Sequence, residues 1–220
     1  MALEFFLFGG SPFAWRVHLV LEYKGLSYNA KFLSLGRGEH KSPEFLKLNP
    51  RGRVPVLRDG DIVLCESVAI IAYLDEICPT PPLFGASSAE TAHIWQRVQE
   101  IENYARNPFL RMAIDIFNGE IEHKQSEAGE LLILCIEQLD WIEGILSKSY
   151  WIAGETLTAA DFVFYPVLMI FMRAIARDEV EISDFKPDSF SKKWPACKGW
   201  MAQVEQISGY ENTYPPHWRN

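Results

Sequence analysis

The chain has 220 residues, of which 48% are hydrophobic and 23% are charged. This composition is typical of folded globular proteins and excludes a disordered or collagen-like chain. Its 21 lysines and arginines stand against 29 aspartates and glutamates, a net charge of −8. We expect no nucleic-acid partner, because binding nucleic acid requires a broad basic face that neutralises phosphates.

Four cysteines are spread along the chain: Cys65, Cys78, Cys135 and Cys197. They form no C-x-x-C pair and no histidine neighbours them at zinc-ligand spacing, so we expect free thiols and no metal site. Free thiols are typical of a reducing compartment. The first basic residue is Arg16, which argues against a signal peptide, and the longest apolar run, residues 162–172, is shorter than the roughly 20 residues of a membrane span. We therefore expect a cytoplasmic protein with no membrane partner.

A stretch rich in proline, glycine and serine, from residue 79 to residue 88, divides the chain into two predicted domains, 1–80 and 88–220. In the first domain we predict strands at 3–8, 28–33, 54–58 and 61–64, and helices at 11–24, 42–49 and 67–77. Ser-Pro opens the first two helices as an N-cap followed by proline, and Asp59-Gly60 predicts a hairpin turn. The order β-α-β-α-β-β-α predicts an α/β domain with helices packed on a mixed sheet.

The second domain is predicted to be all-helical. Amphipathic segments lie at 89–118, 124–147, 158–176 and 191–207. We expect Pro108 to kink the first of these helices. Thr158 and Asp161 form a capping-box pattern, for which a structural role is the leading interpretation.

Charge is distributed unevenly between the two predicted domains. Residues 1–80 carry nine basic and nine acidic side chains, whereas residues 81–220 carry 12 basic and 20 acidic ones. Within the neutral part, residues 37–58 carry six basic and two acidic side chains, a local charge of +4. A basic stretch in an acidic protein favours a small anionic ligand.

Several short motifs lie in order across most of the chain. They are SPFAWRV at 11–17, EHKSPEF at 39–45, NPRGRVPVL at 49–57, DG at 59–60, ES at 66–67, IAG at 152–154 and TAAD at 158–161. Together they resemble the cytosolic glutathione S-transferases of the serine type, with tau-, zeta- and phi-like features mixed. The resemblance implies a thioredoxin-like N-terminal domain followed by an all-helical C-terminal domain, a homodimer, and a role in detoxification.

By this resemblance, Ser11 is the catalytic residue. Its hydroxyl would donate to the sulfur of glutathione, and the N-terminus of the following helix would add to the preference for the thiolate. A serine cannot form the mixed disulfide that a cysteine forms, so chemistry through the thiolate of glutathione itself is favoured. The alternative is an ordinary helix cap.

The resemblance also implies six glutathione-binding residues: His40, Lys41, Val54, Pro55, Glu66 and Ser67. A cis peptide before Pro55 would turn the backbone of Val54 toward the ligand, which would pair with it as an added strand does. Glu66 suits the ammonium of the γ-glutamyl end, and Ser67, at a helix N-terminus, suits its carboxylate. His40 and Lys41 suit the glycyl carboxylate. The alternatives are an edge-strand proline, another helix cap and a solvated loop.

A second-substrate site over the sulfur is implied by the family geometry, with seven candidate residues: Phe13, Trp15, Tyr104, Asn107, Phe109, Arg111 and Met112. Apolar residues at helical spacing can equally form core. Arg16 is interpreted as a structural pairing residue, and no function is assigned to His18, His93, His123 or His217.

The predicted function is that of a glutathione transferase, with glutathione as cosubstrate and a small apolar electrophile as its target. One alternative is a glutathione-dependent isomerase, lyase, dehalogenase or peroxidase. Pro12 and Phe13 stand where the zeta-class isomerase pattern has a serine and a cysteine, which counts against that isomerase. A further alternative is a non-catalytic binding or interaction protein of the same fold.

Overall fold

The computed structural model describes residues 3–177 and 185–219, and their contacts group them into two units. The first unit runs to Leu83 and also includes the chain from Ile207 onward, while the second is Phe84–Gln206. The C-terminal residues therefore correct the predicted domain 88–220. The physical reason is aromatic: the rings of Tyr210, Tyr214 and Trp218 all pack against Trp15 of the first unit.

The first unit is built on a four-stranded sheet with the strand order β2-β1-β3-β4. Its elements are β1 (Leu3–Leu7), α1 (Pro12–Tyr23), β2 (Tyr28–Phe32), a 3-10 turn (Glu39–Lys41), α2 (Pro43–Leu48), β3 (Val56–Asp59), β4 (Ile62–Cys65) and α3 (Ser67–Ile77). β1 is parallel to β2 and antiparallel to β3, and β3 is antiparallel to β4. The thioredoxin-like fold is confirmed.

Local chemistry explains where these elements begin. The side chains of Ser11 and Ser42 accept hydrogen bonds from Ala14 N–H and Phe45 N–H, so both act as N-caps ahead of a proline. Gly60 turns the hairpin between β3 and β4 with φ 57°, in the left-handed region that glycine adopts without strain. Helix α1 packs against α3, and its residues 14–21 are buried.

The second unit is helical, as predicted. It contains α4 (Ser88–Glu100), a π-helical turn (Ile101–Ala105), α5 (Arg106–Phe117), a 3-10 turn (Ile121–Lys124), α6 (Gln125–Leu146), α7 (Ala159–Ile175), α8 (Pro187–Lys193) and α9 (Pro195–Val204). The segment predicted as one helix at 191–207 is divided between the end of α8 and α9, because Pro195 cannot continue α8 and instead opens α9 at its first position. Within the described residues, no helix is long and apolar enough to cross a membrane.

Pro108 lies in the first turn of α5, directly after the π-helical turn. A proline nitrogen cannot donate to the carbonyl four residues earlier, here that of Tyr104, which belongs to the π turn. A kink was predicted at Pro108, and the structure has one π turn directly before the helix that contains it.

Asp161 is the polar centre of the second unit. It is completely buried, and its carboxylate accepts hydrogen bonds from the backbone N–H groups of Ile152 (3.0 Å) and Thr158 (2.9 Å), from the Thr158 hydroxyl (3.1 Å) and from Nε1 of Trp200 (2.9 Å). Burial raises its pKa to about 6, although these hydrogen bonds act in the opposite direction. The structural interpretation of the Thr158–Asp161 pattern is confirmed.

The residues after Ile207 return to the first unit. They form α10 (Tyr210–Thr213) and a 3-10 turn (Pro216–Trp218), and α10 packs against α1.

Candidate active site

One edge of the sheet collects the predicted glutathione-binding residues of the first unit. Phe6 of β1 pairs with Val56 of β3, which in turn pairs with Cys65 of β4. The end of β1, the start of β3 and the end of β4 therefore meet in one row across the sheet. Ser11 follows β1, Val54-Pro55 precedes β3 and Glu66-Ser67 follows β4, so the fold brings these segments to the same edge.

Ser11 caps α1 at this edge. Its backbone is extended, its Oγ accepts from Ala14 N–H at 3.3 Å, and its own N–H donates to the carbonyl of Phe8 at 3.3 Å. Capping uses a lone pair of the hydroxyl oxygen, so the hydroxyl hydrogen remains available to a ligand. The twelve-residue helix behind it places its positive end at the same point.

The Val54–Pro55 peptide is cis, as the resemblance implied. Among the described residues, neither the N–H nor the C=O of Val54 has a hydrogen-bond partner, and β3 begins two residues later. These groups are therefore available for strand-like pairing.

Asn49 holds the loop that leads to Val54, a role that the sequence did not predict. It is buried, its Nδ2 donates to Arg53 O (2.7 Å), and its Oδ1 accepts from Arg51 N–H (3.1 Å). An asparagine just before a proline was the available signal.

Glu66 and Ser67 lie at the start of α3. Glu66 has φ 70°, the left-handed conformation that a residue with a β-carbon rarely adopts, and its side chain is exposed. Ser67 is buried, and its Oγ accepts from Nη1 of Arg16 at 3.3 Å. Arg16 is itself fully buried, with its guanidinium 5.0 Å from the centre of the Phe13 ring. The hydrogen bond to the Ser67 hydroxyl is a contact that the sequence did not predict for Arg16.

His40 and Lys41 lie on the loop that leaves β2 at the same edge. The His40 ring meets the Phe8 ring edge-on at 5.2 Å, and its Nδ1 is buried with no hydrogen-bond partner in the described part of the chain. Lys41 is exposed, and its Nζ donates to the carbonyls of Arg51 and Gly52, each at 3.3 Å. The loop bearing these residues thus contacts the loop that leads to Val54.

The two second-substrate candidates in the first unit differ in exposure. Phe13 is half-buried on α1. Trp15 is 3% exposed, and its Nε1 donates to Oγ1 of Thr213 at 2.8 Å. The C-terminal residues therefore cover the Trp15 ring. This burial corrects the assignment of Trp15 to the wall of the second-substrate site.

The five candidates in the second unit divide between surface and core. Tyr104, Asn107 and Arg111 are exposed. Phe109 and Met112 are buried, and the Phe109 ring meets Phe164 and Phe171 edge-on at 5.7 and 4.9 Å. Phe109 and Met112 are therefore core residues, and their assignment as substrate wall was wrong because apolar residues at helical spacing serve both purposes.

A second polar network, which the sequence reading also missed, ties α1 to β2. The Tyr28 hydroxyl donates to Oε1 of Glu22 (2.6 Å) and lies 2.6 Å from Nε2 of His18. Because the single hydroxyl hydrogen goes to Glu22, Nε2 of His18 must carry the proton of the neutral ring. Burial lowers the pKa of His18 to about 4, with Glu22 acting weakly in the opposite direction.

The fold and the site together define a thioredoxin-like protein with a serine, and not a cysteine, at the start of its first helix. Residues 10–77 match the family model of the glutathione S-transferase N-terminal domain, and residues 127–203 match that of the glutathione S-transferase C-terminal domain. The chain belongs to the glutathione S-transferase family and is an enzyme of that family.

Individual relatives agree with this assignment. Glutathione S-transferase 1 of Dianthus caryophyllus is 43% identical over 192 residues, which cover 81% of each chain. A zeta-class glutathione S-transferase of Euphorbia esula is 29% identical over 83% of this chain and 80% of its own. The crystal structure of a glutathione S-transferase from the Antarctic clam Laternula elliptica superposes with a TM-score of 0.84 at 28% identity, covering 100% of this chain and 95% of the other.

Proposed function

We propose that this enzyme binds glutathione at the sheet edge and uses Ser11 to favour its thiolate, which then attacks a small apolar electrophile. The observation that carries the proposal is the meeting of Ser11, the unpaired backbone of Val54 and the Glu66-Ser67 pair at one edge of the sheet. Each group matches a different part of the tripeptide.

The sulfur lies beside Ser11 in this proposal. Free thiols are mostly protonated at neutral pH, and only the thiolate is a good nucleophile. A hydroxyl donor and the positive end of α1 each contribute about 1 kcal/mol toward the anion, which lowers the thiol pKa by roughly 1.5 units. The thiolate forms a carbon–sulfur bond with the electrophile while the leaving group departs, and no covalent bond to the protein is required.

The remaining groups hold the two ends of glutathione. The cysteinyl part pairs with Val54 N–H and C=O, the γ-glutamyl ammonium faces the exposed carboxylate of Glu66, and the γ-glutamyl carboxylate accepts from Ser67 at the start of α3. Because Arg16 donates to a lone pair of Ser67 Oγ, the serine hydrogen is free to turn toward that carboxylate. His40 and Lys41 are assigned to the glycyl end.

Among the candidates for the electrophile, the exposed ones are retained. Tyr104 offers an aromatic face, and Asn107 and Arg111 lie on the exposed side of the same helix. An aromatic surface suits a flat apolar electrophile, which is the substrate class we propose.

The test is a pH titration of enzyme-bound glutathione that follows thiolate absorbance. We expect the thiol pKa to be lowered in the wild type and to return toward its free value in Ser11→Ala. Ser42→Ala is the matched control, because Ser42 is also a serine N-cap followed by proline, on α2. Both variants lose a cap and about 1 kcal/mol of stability, but Ser42→Ala should keep the wild-type thiol pKa. A thiol pKa that is equal in wild type and Ser11→Ala would contradict the role of Ser11.

We also propose that the enzyme is a cytoplasmic homodimer that acts in detoxification. All four cysteines are free, as in proteins of reducing compartments. Strand β4 is an outermost strand of the sheet, and it exposes Ile62 and Val63. An exposed apolar outer strand is a surface that a second subunit can cover. Sedimentation equilibrium measures the mass directly, and a monomer at micromolar concentration would reject the dimer.

A further inference from the structure

The last described residues pack against α1. We call residues 207–219 the C-terminal strap. At the far end of α1, Nδ2 of Asn212 donates to Oε2 of Glu22 at 2.6 Å. In the first turns of α1, Trp15 donates to Oγ1 of Thr213 at 2.8 Å. The strap is thus anchored to α1 at both places by hydrogen bonds.

Two aromatic residues near the end of the strap contact the turn that precedes Ser11. A β-carbon placed on Gly10 would lie 3.2 Å from Nε2 of His217 and 3.2 Å from Nε1 of Trp218, and one placed on Gly9 would lie 3.4 Å from Cε1 of His217. The His217 imidazole therefore occupies the space beside both glycines, and the Trp218 indole occupies the space beside Gly10. The indole in turn packs edge-on against Trp15, with ring centres 5.3 Å apart.

The turn itself needs such support. It runs from Phe8 to Ser11, is closed by the Ser11 N–H to Phe8 carbonyl bond of 3.3 Å, and has Gly10 at φ 85°, as a type II turn requires at its third position. Two successive glycines have more conformational freedom than any other pair of residues, and fixing them costs the most entropy. Rings packed beside them restrict the conformations of the turn, and the conformation of the turn sets the direction of the Ser11 side chain.

We propose that His217 and Trp218 are positioning residues for Ser11, which hold the Phe8–Ser11 turn in the conformation that presents the serine hydroxyl to the glutathione sulfur. This inference rests on the proposed role of Ser11. Neither residue contributes to the proposed contacts with the two ends of glutathione. Loss of either ring lowers the fraction of enzyme with a correctly placed hydroxyl and leaves the binding groups in place.

The experiment compares Trp218→Ala, Trp218→Phe and His217→Ala with the wild type, using glutathione and chlorodinitrobenzene, an activated aryl halide. Asn212→Ala is the matched control, because it removes an anchor of the same strap at the far end of α1. His217 is exposed, so its replacement leaves the protein folded. The readouts are the thiol pKa of bound glutathione, kcat and KM for glutathione, and amide exchange of a peptide that contains the Phe8–Ser11 turn.

We expect Trp218→Ala to raise the bound-thiol pKa by about half a unit to one unit and to lower kcat by roughly threefold to tenfold, with KM for glutathione unchanged. Amide exchange of the turn becomes faster. Trp218→Phe keeps a ring edge against Trp15 and restores most of kcat, His217→Ala gives a smaller effect in the same direction, and Asn212→Ala changes neither the thiol pKa nor kcat.

Three results would overturn the inference, and the first is distinguishable from the other two. A wild-type enzyme with no lowered thiol pKa rejects the proposed role of Ser11 and this inference with it. A lowered wild-type pKa that both Trp218→Ala and His217→Ala retain, with unchanged kcat, rejects this inference alone. A fall in melting temperature in Trp218→Ala with no change in thiol pKa also rejects it, because that is the result of a merely structural contact.

Discussion

The two units bury their polar side chains for different purposes. The first unit buries Arg16, His18, Lys24, Asn49, Ser67 and Thr213, and the second buries Asp115, Thr158 and Asp161. In the first unit, these side chains bond to segments of the candidate site or fix α1, which carries Ser11. In the second unit, Asp161 joins the start of α7 to Ile152 and Trp200 by hydrogen bonds.

This difference indicates which substitutions should affect stability alone and which should affect function as well. A substitution among the buried polar groups of the second unit should reduce stability, because an unpartnered group in the core costs its full desolvation energy. A substitution beside the sheet edge of the first unit should change ligand binding or pH dependence as well. The following predictions test that separation, from the largest expected effect to the smallest.

Asp161→Asn should have the largest effect. The amide keeps the shape of the carboxylate but replaces one acceptor oxygen with an NH₂ group that faces existing donors, at a fully buried position. We expect a loss of about 3–5 kcal/mol in the free energy of unfolding, measured by urea denaturation. Glu155→Gln, an exposed carboxylate in the same unit, should stay within about 0.5 kcal/mol of the wild type. An equal effect of the two variants would remove the contrast between the units.

His18 should make the first unit sensitive to acid. Its pKa is lowered to about 4 in the folded protein, whereas the unfolded chain titrates near 6.5. Between these values the unfolded state binds more protons, so stability is full above pH 6.5 and falls as the pH drops toward 4. The loss is about 3 kcal/mol, since each pKa unit corresponds to about 1.36 kcal/mol.

His18→Gln separates this contribution from others, because glutamine keeps an N–H donor for Tyr28 but does not titrate. Urea denaturation at several pH values should give a wild-type curve that falls more steeply below pH 6.5 than that of the variant. Asp161 acts in the opposite direction, because its raised pKa lets the folded state bind more protons between pH 3.8 and about 6, and it does so equally in both proteins. Parallel curves would show that His18 is not the source of the acid sensitivity.

Arg16→Lys should weaken glutathione binding more than it weakens the fold. The planar guanidinium of Arg16 packs against the Phe13 ring and at the same time donates to Ser67 Oγ. A lysine ammonium cannot make both contacts, so the Ser67 hydroxyl loses its orientation. We expect about a tenfold rise in the dissociation constant of glutathione, which is about 1.4 kcal/mol, measured by titration calorimetry. Arg58→Lys is the control, since Arg58 pairs with Glu4 in the middle of the sheet. A similar loss of affinity in both variants would indicate a general charge effect.

The sequence predicted the fold well because local signals agreed with it. Ser-Pro at residues 11 and 42 and Asp59-Gly60 each determine a boundary within a few residues, and the motifs around Val54-Pro55 and Glu66-Ser67 located the sheet edge. The path of the last residues escaped prediction, because their packing on Trp15 is a contact across about 200 positions of sequence. For the same reason His217 carried no visible signal.

The smallest expected effect on stability belongs to Tyr104→Ala. Sequence spacing did not separate Tyr104 from Phe109 and Met112, whereas the structure places Tyr104 on the surface, 64% exposed, and the other two in the core. Tyr104→Ala should therefore change the free energy of unfolding by less than about 0.5 kcal/mol, yet raise KM for an aromatic electrophile several-fold. Tyr150→Ala is the matched control, because Tyr150 lies in the same unit and is 66% exposed. If steady-state kinetics give the same KM for both variants and the wild type, Tyr104 is an ordinary surface residue, and the second-substrate site must be built from other residues than those the helical spacing selected.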